Sequence, residues 1–138
     1  MERRDYLLRQ IEALGRILSR LRALIVSGDT GQADSQIREE MRNAGLDLAM
    51  ANALDSTTLL MMLGSPVLDG RRAMTVGTLL RMDALRARAD GDANRARRSD
   101  SNALAVLQAA RPTLDEERAA LADELLVEIR ESLAPTDR

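Results

Sequence analysis

Between residues 7 and 25 the apolar side chains return in alternating steps of four and three: Leu7, Ile11, Leu14, Leu18, Leu21 and Ile25. That spacing places all six on one face of an α-helix, at the a and d positions of a heptad; a strand, whose faces alternate every second residue, has no use for it. Leu8, Ile17 and Leu24 widen the stripe on one flank, and Arg9, Arg16, Arg20 and Arg22 sit mostly away from it. Three uses of the seam are open. It can pack in the chain's own core, pair with a second copy in a homodimer or other homo-oligomer, or lie on an anionic membrane as a basic amphipathic helix. Self-association is the use carried forward as an expectation.

Helical periodicity continues beyond Ser27-Gly28-Asp29, with Gly28 as a left-handed stop. A second helix is expected from Thr30, bent or split at Gly45. A short Leu- and Met-rich helix follows behind Asp55-Ser56, apolar all round and so expected to be buried or to lie against a partner. A long helix runs from about residue 70 to Ala89. Asp90-Gly91-Asp92 is a tight turn, and an Ala-rich helix follows from Ala93 to about Ala109. The last helix carries Ala122, Leu125, Ile129 and Leu133 on one face, with Thr113 and Glu116 matching a capping box. Gly77 weakens its own helix by about 1 kcal/mol relative to Ala, and a close helix crossing is one compensation. The expected fold is all-α, a single domain over residues 1–138 with five or six antiparallel helices. Its parts are an N-terminal amphipathic helix (1–28), a helical hairpin (70–110) and an acidic C-terminal helix (113–134).

Composition closes several chemistries. The chain has one aromatic residue, Tyr6, and no Cys, His or Lys. A thiolate nucleophile, an imidazole base, an ordinary zinc or haem site, a lysine Schiff base and a Walker-type lysine are therefore excluded. Asp90, Asp92 and Asn94 alternate as in a calcium loop, but Arg95 stands where that loop needs Gly and Ser101 where it needs Glu. The expectation is no catalytic, cofactor-binding or metal-binding residue, no cofactor and no enzyme activity. With a net charge of −2 there is no strong nucleic-acid signal. No apolar run approaches the ~20 residues of a transmembrane helix. A cytoplasmic protein is the default.

Leu80 to Leu104 resembles a tetratricopeptide repeat. Leu80 stands in place of the first-helix Trp and Ala84 in place of its small residue. After the Gly91-Asp92 turn come Ala96 and then Ala103-Leu104. Ala87 replaces a usual Tyr, Asp100 a usual aromatic, and Asp83 an apolar residue, while the closing proline comes one turn late as Pro112. The whole chain also resembles a family of small uncharacterised bacterial proteins. Arg4 to Glu12 carries that likeness, with the later order of short Leu-rich helix, long helix, Gly-Asp turn and Ala-rich helix. This resemblance implies repeat-like helices and no established activity.

Arginines gather on the hairpin. Arg81, Arg88, Arg95, Arg97 and Arg98 are the candidate partner-binding residues, because guanidinium forks suit carboxylates and phosphates. The plainer reading is a solvated face, or pairing with the acidic last helix. From Thr113 to Arg138 there are eight acids and three arginines, a net −5; from Met1 to Ser27 the net is +3. The ends are electrostatically complementary, within one chain or between two. The expected function is a noncatalytic protein–protein interaction or scaffold module that self-associates through the first helix. The alternative is a nucleic-acid or anionic-membrane-surface regulator working through the arginines.

Overall fold

In a computed structural model of the chain, residues 3–65 and 67–135 are described, with side chains from residue 12 onward. The described residues form α-helices and no strand: α1 (Arg3–Val26), α2 (Thr30–Asn43), α3 (Leu48–Ala53), α4 (Ser56–Met62), α5 (Gly70–Ala89), α6 (Ala93–Ala110) and α7 (Glu116–Leu133). A single 3-10 turn, Arg111–Thr113, joins α6 to α7. The all-α expectation therefore holds, but the count is seven rather than five or six. The extra helix comes from Gly45, whose φ of 87° ends α2 outright. Gly45 N–H donates to Arg42 O at 2.9 Å and Leu46 N–H to Met41 O at 3.0 Å, which turns the chain and returns Leu46 to the core.

Each helix after α1 starts at an aspartate. Asp29, Asp47, Asp55, Asp69, Asp92 and Asp115 all accept from a backbone N–H in the following first turn. The carboxylate satisfies an otherwise orphaned donor and lies at the positive end of the helix dipole. The capping box expected at Thr113 is not used: Asp115 is the cap of α7, accepting from Arg118 N–H at 2.9 Å. Pro112 holds Thr113 in the 3-10 turn, where its hydroxyl donates to Ala110 O at 2.7 Å, so it is spent before α7 begins.

α5 is the central element. Every residue from Val76 to Ala84 is buried, and α1, α2, α6 and α7 all pack against this helix. Its closest neighbour is α6. Asp83 meets Ser99, and Gly77 lies under Val106 and Leu107, so contacts advance along one helix as they retreat along the other. A Cβ on Gly77 would come within 2.6 Å of the Leu107 side chain. Gly77 is thus the close crossing that compensates its poor helix propensity.

α1 delivers Leu14, Leu18 and Leu21 to this core, with Ile17, Leu24 and Ile25 packed at its edge. From α7 come Ala122, Leu125, Leu126 and Ile129. α4 is only half covered within the chain, so burial, one of its two expected settings, holds for one side of the helix. Leu59 is fully buried, but Met61 and Met62 are exposed, because α6 covers one side of the helix and no described residue covers the other.

Candidate functional site

The five candidate arginines fall into two sets. Arg81, Arg88 and Arg95 turn inward to two carboxylates, and Arg97 and Arg98 turn outward. Asp83 on α5 and Asp100 on α6 are both completely buried. An unpaired carboxylate there would be very costly, so each must be surrounded by donors.

Asp83 collects four side chains. Its Oδ1 accepts from Arg86 Nη2 at 3.0 Å and Arg95 Nη2 at 3.3 Å; its Oδ2 accepts from Ser99 Oγ at 2.6 Å, Asn52 Nδ2 at 2.9 Å and Arg95 Nε at 3.2 Å. Burial opposes the charge on Arg86. Its hydrogen bonds to Asp83, with Asp34 and Asp90 nearby, more than offset that and raise its pKa above the ordinary arginine value. Asp100 receives Arg81 Nη1 on both oxygens at 3.0 Å. Arg88 Nη1 lies 2.7 Å from Asp100 Oδ2 as an ion pair, without a hydrogen-bonding angle. Arg81 continues to Ser132 Oγ at 3.1 Å and Glu128 Oε1 at 3.5 Å, and Glu128 also takes Arg22 of α1 at 2.9 Å. The charge complementarity of the chain ends is thus satisfied in part inside one chain, through Arg22 and Glu128.

Arg97 and Arg98 have no ion-pair or hydrogen-bond partner among the described residues, and both are exposed. They line a cleft of about 680 Å³ between α6 and the α3–α4 junction. Asn94, Ser101 and Asn102 continue the α6 wall, with Asn52, Asp55 and Ser56 on the facing side. Asn102 fastens the two walls: its Nδ2 donates to Leu54 O at 3.1 Å and its Oδ1 accepts from Ser56 Oγ at 2.8 Å. Asn52, 4% exposed, gives its Nδ2 to Asp83 and leaves its Oδ1 with no partner. Asn52 is therefore the link between the cleft and the buried carboxylate. Sequence reasoning did not single out Asn52 or Asn102, and met Asn94 and Ser101 only as positions of a rejected calcium loop. The signal lay in the spacing 94, 97, 98, 101, 102, a polar stripe of i, i+3 and i+4 steps beside the apolar stripe of the same helix.

The six self-association candidates separate as well. Leu14, Leu18 and Leu21 are buried in the chain's own core and Ile25 is half-buried against it. The side chains of Leu7 and Ile11 lie outside the described residues. No group of three acidic residues converges as a metal site among the described residues. Among the described residues no helix is long and apolar enough to cross a membrane. No family model, curated protein or solved structure matches the chain.

Proposed function

We propose that this chain is a noncatalytic protein–protein interaction or scaffold module. One observation carries the reading: the buried charges of α5 and α6 pair with one another, while Arg97 and Arg98, unpaired among the described residues, stand over an open cleft. Charges locked in multiple ion pairs are poor acids, bases or nucleophiles and good fasteners. Groups left free on a rigid helix are suited to holding a partner, since little order is lost on binding.

The α5–α6 hairpin is tetratricopeptide-like in this reading, with α4 and α7 as its caps. A single repeat needs neighbours to cover its apolar surface, and both helices pack on α6. Self-association belongs to the same proposal but is narrowed to the first turns of α1. At 24 residues α1 outruns the 14 of α2 by about 15 Å at 1.5 Å per residue, and the heptad seam runs on through Leu7 and Ile11.

The test is affinity capture from the native cell with the wild-type chain and with Arg97→Glu/Arg98→Glu. A stoichiometric partner lost with the variant supports the reading. No stoichiometric protein on the wild type overturns it. Light scattering decides self-association separately: a multimeric wild type reduced to monomer by Leu7→Glu/Ile11→Glu is expected, and a monomeric wild type removes that part alone.

A further inference from the structure

We propose that the cleft between α6 and the α3–α4 junction is a binding site for an acidic peptide segment, which places a side-chain carboxylate on Arg97 and Arg98 and a backbone N–H toward Asn52. This rests on the interaction-module reading and names the chemistry of its partner.

Three observations converge. A polar stripe on a helix is ordinarily a solvated face, but this one forms a wall of a concave space of about 680 Å³, within the range of natural ligand sites. Four other hairpin arginines, Arg81, Arg86, Arg88 and Arg95, are spent on carboxylates of the chain, and the two on this wall are not. Guanidinium forks beside a carboxylate make charge-assisted hydrogen bonds, stronger than neutral ones. The third observation is Asn52, which lines the cleft, is nine-tenths buried and has an unpartnered Oδ1. A buried acceptor without a donor is a standing cost, and an entering N–H removes it once the Asn52 amide turns toward the cleft.

Together these select the ligand. Arg97 and Arg98 call for an anion and Asn52 calls for a donor. An acidic peptide carries both a few ångströms apart, on a side chain and on the backbone. A nucleic-acid backbone brings anions with no backbone N–H beside them for Asn52.

The experiment is fluorescence anisotropy of the full chain with fluorescein-labelled hepta-glutamate at low salt, beside labelled hepta-glutamine and labelled oligouridylate. Arg97→Glu/Arg98→Glu is compared with Arg16→Glu/Arg130→Glu, an equal change of charge at exposed sites elsewhere. Hepta-glutamate is expected to bind the wild type, about tenfold or more weaker to the cleft variant, and nearly unchanged to the control. The Asn52 side-chain amide resonances are expected to shift as the peptide is added. Absence of binding, equal loss in both variants, tighter binding of oligouridylate, or unmoved Asn52 resonances would each overturn the proposal. If hepta-glutamate fails to bind while native capture still yields a partner, the module reading stands and this one falls.

Discussion

Asp100 sits with no solvent exposure between Arg81 and Arg88, and its replacement leaves two guanidinium groups facing an uncharged amide. Breaking a buried pair on one side costs several kcal/mol, so Asp100→Asn is expected to lower unfolding free energy by about 3 kcal/mol in urea titration. Asp123→Asn, which loses only an exposed pair with Arg111, is expected to leave the urea midpoint nearly unchanged. Gly77→Ala pits helix propensity against space. The new Cβ falls 2.6 Å from Leu107, in the core, so crowding wins and the expected loss is about 1–3 kcal/mol. Combined with Leu107→Ala, the two losses should be less than additive. Both carboxylates were visible in the sequence as charges at positions where the repeat pattern has apolar residues. Their partners were not, because helical spacing gives the face of a residue and not the neighbour that face meets. Arg81 and Arg88, seven apart, do share a face, and that face turned inward.

At the scale of elements the sequence was most legible where one residue decides the outcome. Gly28, Gly91 and the aspartates ahead of α4 and α6 mark boundaries because no other part of the chain competes for them. Thr113 misled because Pro112 claimed it for the preceding turn, a competition that the four-residue capping pattern does not contain. Asp115 is the better cap, and its titration follows from its partners. Burial alone would raise its pKa, but hydrogen bonds from the Arg118 backbone and side chain, with the Arg118 charge, hold it below the ordinary carboxylate value. A depressed folded-state pKa stabilises the fold above the unfolded value, and that contribution disappears as pH falls through the lower, folded one. Asp115→Ala is therefore expected to cost about 1 kcal/mol at pH 7. The gap between variant and wild-type melting temperatures should narrow below about pH 4. The α1 seam shows the opposite limit. Its periodicity established a buried face, while the choice between core and second copy depends on what lies alongside, which for Leu14, Leu18 and Leu21 is the chain itself.

Across the whole molecule, the order of the helices places the most buried one in the middle of the chain, where α1, α2, α6 and α7 pack on it. The all-α class was legible from periodicity and from the near absence of aromatics. The cleft was not, because its walls come from residues 52–56 and 94–102, and no local pattern brings those together. The chain's order has a consequence for synthesis. α5 is complete before any residue of α6 or α7 has been made, and during that interval Met74, Leu79, Leu80 and Met82 lack their final cover. Arg81, Asp83, Arg86 and Arg88 are spaced along the same helix, and in water each stays hydrated. The nascent α5 thus carries its own solubilising charges; Arg86 finds Asp83 on the same helix, while Arg81 and Arg88 become fasteners only when Asp100 emerges to receive them.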